Sequence, residues 1–247
     1  MFIRLYLLVI ILMPVMSLAQ VPTSMQSEFH FARLAFGPYG RPFSNHPGEP
    51  WLRDWPDAED HFLEGMRRLT RIDGDGESRQ VSLLTDDLFD YPVIYAVKVG
   101  YWDLSGQEAT RLREYLLRGG FLIVDDFHGP AEWGQFVSTL NRVFPDRTVL
   151  EIADDDEIFH VLYDLDDRQQ IPGRQSVYNG VSWEHPQGMP EYWRAIKDDD
   201  GRIMIAINFN MDMGDAWEHA DDAFYPEPLT ALAYRIGINY LIYTMTH

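Results

Sequence analysis

Two short and almost wholly apolar runs, residues 93–99 and 121–124, most strongly limit the folds open to this chain. A strand that is buried on both faces has a continuous apolar sequence, and such strands occur mainly in parallel sheets covered by helices on both sides. Segments with apolar residues at helical spacing lie between and around the two runs. The alternation predicts an α/β fold with a mostly parallel central sheet.

Local signals predict further elements around these two strands. Ser105 and Glu108 form a capping box that predicts the start of a helix, and Gly119 with Gly120 predicts its end. Further strands are expected at residues 29–36, 81–84, 193–196 and 203–209, and further helices after Pro56, around residues 133–140 and over residues 229–243. The signals weaken over residues 147–190, where irregular structure is expected.

The first 20 residues have the pattern of a secretory signal peptide. Arg4 gives a positive start, residues 5–16 form an apolar stretch, and residues 17–19 match a small-residue cleavage site. A stretch of about a dozen apolar residues falls short of the ~20 that span a bilayer, which favours cleavage over a membrane anchor. We expect cleavage near Ala19, export to the periplasm or medium, and one α/β domain over residues 20–247 without a transmembrane segment.

Composition excludes several classes of function. Acidic residues outnumber basic residues 39 to 20, for a net charge of -19. Nucleic-acid binding needs a basic surface, so no nucleic-acid partner is expected. The chain has no cysteine, which excludes disulfides, thiolate metal sites and a cysteine nucleophile. Apolar residues make up 46% of the chain, which excludes intrinsic disorder.

The residues that follow each predicted strand are the first candidates for a site, because open α/β sheets bind ligands at the carboxyl ends of their strands. Asp125, Asp126 and His128 follow the strand at residues 121–124. Two carboxylates and an imidazole at one turn suit acid–base catalysis or metal ligation, and we treat all three as candidate catalytic residues. A helix cap and a solvated carboxylate are the alternative explanation.

A second polar segment follows the predicted strand at residues 203–209. The candidates here are Asp212 and Asp215, together with Asp126, as ligands of a divalent cation, and Asn210 and Glu218 as ligand-binding residues. The segment matches a calcium loop only superficially, because Met213 stands where that loop requires glycine. Turn formation by Asn, Asp and Gly is the alternative explanation.

Five cationic or aromatic residues complete the candidates for ligand binding. They are Arg33, Tyr39, Lys98, Tyr101 and Trp102. A desolvated cation such as Lys98 or Arg33 either orients an anionic ligand or neutralises a nearby carboxylate. The three aromatic side chains either stack on a sugar or anchor the core and its loops. The long loop at residues 41–55, rich in Pro, Gly and Trp, has a length typical of functional loops.

Five short motifs, spread over nearly all of the chain after the signal peptide, carry a family resemblance. They are Phe-Ala-Arg-Leu at residues 31–34, Trp51 with Trp-Pro-Asp-Ala-Glu at 55–59, Gly-Gly-Phe-Leu at 119–122 with Asp125 and Asp126, Asn-x-Asp-x-Gly-Asp-Ala-Trp-Glu at 210–218, and Arg-Ile-Gly-Ile-Asn-Tyr at 235–240 with Tyr243. Together they resemble the bacterial domain of unknown function numbered 4159. The resemblance implies a flavodoxin-like three-layer sandwich similar to the class I glutamine amidotransferases. Those enzymes place a cysteine where this chain has Asp125 and Asp126, so cysteine-based glutamine hydrolysis is not expected.

These observations predict an extracytoplasmic, amidotransferase-like domain that binds a ligand, protein or glycan without catalysis. The prediction rests on the missing cysteine and on the lack of a complete catalytic motif. The alternative is a carboxylate- or cation-dependent hydrolase that uses the acidic cluster, with His128 as its acid or base. A structural envelope component is a third hypothesis. Convergence of the acidic side chains on one point favours the hydrolase, and their scatter over separate turns disfavours it.

Overall fold

A central sheet between layers of helices organises the chain in the computed structural model, which describes residues 29–38, 40–41, 44–74 and 76–247. The strands are β1 (Ala32–Ala35), β2 (Arg79–Ser82), β3 (Val93–Val97), β4 (Phe121–Asp125), β5 (Leu150–Glu151), β6 (Tyr192–Lys197) and β7 (Ile203–Phe209). The helices are α1 (Asp57–Leu69), α2 (Gly106–Leu117), α3 (Gly129–Val143), α4 (Arg174–Tyr178), α5 (Met213–Glu218) and α6 (Glu227–Thr246).

The strand order across the sheet is β2-β1-β3-β4-β7-β6-β5. Strands β2, β1, β3, β4 and β7 are parallel, and β6 and β5 add an antiparallel edge. The parallel part repeats the flavodoxin-like order, in which the chain reverses its direction of winding between the first and third strands. The predicted α/β class and flavodoxin-like three-layer sandwich are therefore confirmed.

The side chains of the central strands alternate between two helical layers. In β3, Val93, Tyr95 and Val97 join the core cluster that includes side chains from α1, α5 and α6. Ile94 and Ala96 join the cluster formed with α2 and α3. All five side chains are buried, and each fully buried large apolar side chain contributes roughly 1.5–3 kcal/mol. Burial on both faces explains why the strand has a continuous apolar sequence.

Most predicted elements form, and the differences lie at their ends. The capping box of α2 is confirmed, with the Glu108 amide 3.2 Å from Ser105 Oγ and the Ser105 amide 2.7 Å from Glu108 Oε2. Strand β1 is shorter than predicted, because Phe29 pairs only through an isolated bridge to Gly74. Helix α6 is longer than predicted. The strands predicted at residues 193–196 and 203–209 form β6 and β7, which pair antiparallel.

Two predictions concern residues that the structure does not describe. The signal peptide at residues 1–19 and the candidate residue Tyr39 both lie outside the described residues. Among the described helices, none combines the length and the hydropathy needed to cross a membrane.

Candidate functional site

Three neighbouring strands end at one edge of the sheet, and the residue after each of them has an unusual backbone conformation. Lys98 follows β3, Asp126 follows β4 and Asn210 follows β7, with φ angles of 53°, 51° and 66°. In the described part of the chain, Asp54 is the only other non-glycine residue with positive φ. Such conformations are costly for residues with a side chain, and they cluster at functional sites. Lys98, Asp126 and Asp54 meet at the acidic cluster described next.

Asp126 is the centre of this cluster and is fully buried. Its Oδ1 lies 2.5 Å from Lys98 Nζ and 3.2 Å from His128 Nε2. Burial by itself would raise the pKa of Asp126, but the charges and hydrogen bonds of Lys98 and His128 hold it below its ordinary value. No hydrogen-bond donor in the described residues reaches Asp126 Oδ2. Asp126 is therefore an ionised carboxylate with one buried oxygen that lacks a donor.

His128 lies between Asp126 and Glu184, whose Oε2 is 3.4 Å from His128 Nε2. Burial would lower the pKa of His128, but the hydrogen bond to Asp126 and the charge of Glu184 raise it above its ordinary value. Burial would lower the pKa of Lys98, but the charges of Asp126, Asp212 and Glu184 and the hydrogen bond to Asp126 together raise it. Carboxylates occupy both side chains. Lys98 neutralises Asp126, which is one of the two roles that the sequence left open for it.

Asp54 and Asp212 bring two more carboxylates to Asp126. One carboxylate oxygen from each of these three residues lies within 4.8 Å of the others. Burial, followed by the negative charge of Asp126, raises the pKa of both Asp54 and Asp212 well above the ordinary value. Asp54 Oδ2 is also buried, and no donor within the described ranges reaches it. Neighbouring negative charges oppose one another, so carboxylates this close share a proton or bind a cation.

Asp215 lies beside this trio rather than within it. Its Oδ2 accepts a hydrogen bond from the Arg174 amide at 2.6 Å, and its side chain groups with Glu218 and His219. The predicted cation ligands Asp126 and Asp212 lie close together. The third carboxylate beside them is that of Asp54, whereas the sequence predicted Asp215. Glu218 is half-buried and belongs to the group of Asp215 and His219.

Gly173 lets the backbone approach these carboxylates closely. A Cβ atom at this position would lie 2.6 Å from Glu184 Oε1, 2.8 Å from Asp215 Oδ2 and 2.9 Å from Asp212 Oδ2. The Gly173 amide donates to Glu184 Oε1 at 2.9 Å. Asp212 Oδ1 accepts a bond from the Asp215 amide at 2.8 Å and caps α5. The segment before α4 thus covers one side of the acidic cluster.

Asp125 makes structural contacts, and its catalytic role stays a prediction. Its Oδ2 accepts hydrogen bonds from Tyr95 Oη at 2.8 Å and from the Met213 amide at 2.7 Å. It is fully buried, and burial raises its pKa to about 7. Asp125 therefore fixes the start of α5 against β4. Asp125 does not cap α3. Glu132 Oε2 accepts the bond from the His128 amide at 2.8 Å, and Asp212 is the N-cap of α5.

Arg33 also makes structural contacts. It is fully buried and forms an ion pair with Glu59 of α1. Its Nη1 also donates to the carbonyl oxygens of Trp51 and Arg53, at 2.8 Å in each case. These contacts leave no ligand-binding surface on Arg33. They fix the loop that presents Asp54, so Arg33 is a positioning residue.

Packing or bridging contacts occupy three further candidates, Trp102, Tyr101 and Asn210. Trp102 is fully buried against Phe36 and Phe136, with ring centroids 5.7 and 6.1 Å away, so its side chain belongs to the core and not to a sugar platform. Tyr101 is half-buried and packs on the same core cluster. Asn210 accepts a bond from the Gly129 amide and donates to the Pro190 carbonyl, both at 2.9 Å.

Sequence reasoning missed Asp54 and Glu184. Asp54 belongs to the loop at residues 41–55, whose length predicted a functional role without identifying a residue. Glu184 lies in the stretch where secondary-structure signals weaken, and no motif distinguishes it. Both residues reach Asp126 only through tertiary packing.

Comparison with known proteins gives one family and no characterised relative. No curated protein matches the chain. The family model described as a domain of unknown function (DUF4159) matches residues 30–245, a range that includes the whole acidic cluster. The similarity to the class I glutamine amidotransferases stays a prediction from the motifs. Because the DUF4159 model matches most of its length, the chain belongs to that family of domains of unknown function.

Proposed function

We propose that this chain is an extracytoplasmic, cation-dependent ligand-binding domain, with a divalent cation held by Asp54, Asp126 and Asp212. The convergence of three carboxylate oxygens within 4.8 Å carries the cation site. Convergence alone also favours the hydrolase, but Asp125 and Asp215 of the predicted acidic set bind backbone amides elsewhere, so the full predicted hydrolase cluster does not form. Two of the three residues, Asp54 and Asp126, have a buried oxygen that no donor of the described chain reaches. Buried oxygens of this kind are costly unless they are paired or bind a metal ion.

The donor set indicates the kind of cation. Carboxylate oxygens without cysteine favour hard cations such as calcium, magnesium or manganese. Lys98 and His128 both approach Asp126 through Oδ1, which leaves Oδ2 for the cation. Hard cations in proteins take six or more oxygen ligands in many sites and retain water in the remaining positions. A ligand that carries hydroxyl or carbonyl oxygens can occupy such positions.

A hydrolase is the second candidate, and the placement of His128 favours it. Its Nε2 lies between Asp126 and Glu184 at the edge of the trio, and its raised pKa suits a proton donor. A divalent cation polarises an oxygen or activates water when it is bound at such a site. In this candidate, His128 donates its proton to the leaving group, and Glu184 holds the imidazole in place.

Thermal unfolding of the purified chain tests cation binding. We expect the midpoint measured in chelator to rise by several degrees on addition of saturating calcium, magnesium or manganese, because a ligand that binds only the folded state stabilises it. Asp54→Asn and Asp212→Asn should each abolish the rise. Asp155→Asn, which changes an exposed carboxylate outside the cluster, should preserve it. Lack of a rise with all three ions contradicts the proposal.

The two candidates separate in a turnover assay with the cation bound. The binding domain leaves chromogenic ester, phosphoester and glycoside substrates unchanged. The hydrolase cleaves at least one of them, and its His128→Gln variant loses most of the rate while it keeps the thermal shift caused by the cation. Cleavage that requires both the cation and His128 would replace the first candidate with the second.

A further inference from the structure

A second group of metal-ligand side chains lies on helix α5, next to the acidic trio. Asp215 and Glu218 are in α5, and His219 is its C-cap. Positions three and four residues apart lie on one face of a helix, so these side chains project from the same face. One ligand atom from each lies within 4.8 Å of the others. The group therefore offers two carboxylates and an imidazole at one half-buried place.

The distances within this group fit a shared metal ion better than direct hydrogen bonds. His219 Nε2 lies 3.8 Å from Asp215 Oδ1 and 3.6 Å from Glu218 Oε2. Both separations exceed the length of a hydrogen bond. Two metal–ligand bonds of about 2.1 Å span up to about 4.2 Å, so one ion can contact both atoms of either pair. The Arg174 amide occupies Asp215 Oδ2, which leaves Oδ1 for the ion.

Asp54 connects the group on α5 to the trio. Burial raises the pKa of Asp54, and the charges of Asp126, Asp215 and Glu218 raise it further. The Asp54 carboxyl group lies within hydrogen-bonding reach of the Glu218 carboxyl group. Two carboxylates have no hydrogen to share, so a proton or a cation must lie between them. Since no donor in the described ranges reaches the buried Asp54 Oδ2, Asp54 faces both groups with an oxygen that lacks a partner.

The charge of the combined cluster exceeds what one divalent cation balances. Six carboxylates belong to it: Asp54, Asp126, Glu184, Asp212, Asp215 and Glu218. Lys98 and His128 each supply at most one positive charge, and both contact Asp126 Oδ1. One divalent cation therefore leaves carboxylates in excess, and a second divalent cation removes the excess.

We infer that this edge of the sheet is a two-cation centre, in which Asp215, Glu218 and His219 bind a second cation and Asp54 bridges it to the first. The inference rests on the proposed function, which supplies the first cation. The first position offers carboxylate oxygens alone, whereas the second adds an imidazole nitrogen. An imidazole ligand favours transition metals over calcium and magnesium. Manganese is therefore expected at both positions, and calcium at the first.

Equilibrium dialysis of the full chain against manganese, followed by metal analysis, tests the inference. We expect two bound manganese ions per chain, and the loss of one in His219→Gln and in Glu218→Gln. Electron paramagnetic resonance of the loaded chain gives a second measurement. Two manganese ions that share a carboxylate are magnetically coupled, so the hyperfine pattern of isolated manganese should be absent from the wild type and should return in His219→Gln.

The controls separate failure of this inference from failure of the proposed function. His160→Gln changes an imidazole that also pairs with an aspartate four residues away, outside the site, and should keep both ions. His219→Gln should keep the thermal shift caused by calcium. A single manganese ion whose binding requires Asp212 overturns this inference alone. Two ions retained in both variants, or two ions without magnetic coupling, also overturn it, whereas absence of bound manganese together with absence of the calcium shift overturns the proposed function.

Discussion

Two buried charged clusters in this molecule differ in how their charges are balanced. Arg33 and Glu59 form a buried pair with one charge of each sign, and two backbone carbonyls accept further bonds from Arg33. In the second cluster, Asp54 and Asp212 join an Asp126 carboxylate that already engages both nearby cations through one oxygen. The charges of the first cluster cancel, although Arg33 Nη2 and Glu59 Oε2 are buried without a hydrogen-bond partner among the described residues. The second cluster has more carboxylates than cations, and this difference in charge is the physical basis for assigning it a cation.

Removing one partner of the balanced pair should have the largest effect on stability. Glu59→Ala leaves the guanidinium of Arg33 buried without its carboxylate, and we expect the free energy of unfolding to fall by about 3–5 kcal/mol. Denaturant unfolding measures this change. Glu64→Ala, on the same helix, removes a half-exposed partner of Arg68 and should cost less than about 1 kcal/mol. Equal effects of the two variants would contradict the structural role given to Arg33 and Glu59.

Removing a charge from the unbalanced cluster should increase the stability of the protein when no cation is bound. In chelator, Asp54→Asn relieves repulsion from Asp126 and should raise the free energy of unfolding by roughly 0.5–2 kcal/mol. In saturating calcium the same variant should be less stable than the wild type, because it has lost a ligand of the cation. Denaturant unfolding under both conditions checks the reversal. If Asp54→Asn destabilises the protein equally in both, the cluster is balanced without a cation.

The pH dependence of stability should show the same imbalance. The folded state raises the pKa of Asp125 to about 7, and those of Asp54 and Asp212 well above the ordinary value of about 4. The folded chain therefore holds more protons than the unfolded chain between about pH 5 and about pH 7, and stability falls as the pH rises through this window. The raised pKa of His128 acts in the same direction above its unfolded value.

Thermal unfolding midpoints in chelator, measured across this range, should therefore decrease by a few degrees toward neutral pH. Saturating calcium should reduce or reverse the decrease, because the cation replaces the protons on the carboxylates. A midpoint that rises steadily toward neutral pH in chelator would show that the carboxylates are stabilised as anions within the fold.

A smaller effect is expected at Gly173. The added methyl group of Gly173→Ala lies too close to three carboxylate oxygens, so those side chains must shift. We expect the thermal shift caused by calcium to shrink while the stability in chelator changes little. Gly106→Ala is the matched control, because no atom lies within 4 Å of the position of its Cβ. An unchanged calcium shift in Gly173→Ala would place the cation away from Asp212 and Glu184.

The sequence predicted the sheet better than the site because the two depend on contacts of different range. Apolar runs determine β3 and β4 locally, and the capping box determines the start of α2 within four residues. The role of Asp125 depends on the Met213 amide, 88 positions further along the chain. The pairing of Arg33 with Glu59 likewise joins a strand to a helix that the pattern does not connect.

The candidate site shows the same limit. The position of Asp126 after β4 was predictable, since it follows from the strand that precedes it. Asp54 and Glu184 come from segments without periodic pattern, and only packing brings them to Asp126. Trp102 shows the converse problem, because an aromatic residue after a strand has the same sequence signature in a core as on a binding surface.

The most direct test of the central claim is anomalous diffraction from crystals of the chain grown with manganese. The account predicts an anomalous peak within coordination distance, about 2.0–2.6 Å, of carboxylate oxygens from Asp54, Asp126 and Asp212. Peaks bound only by other residues, or density with no peak at this edge of the sheet at saturating manganese, would contradict it.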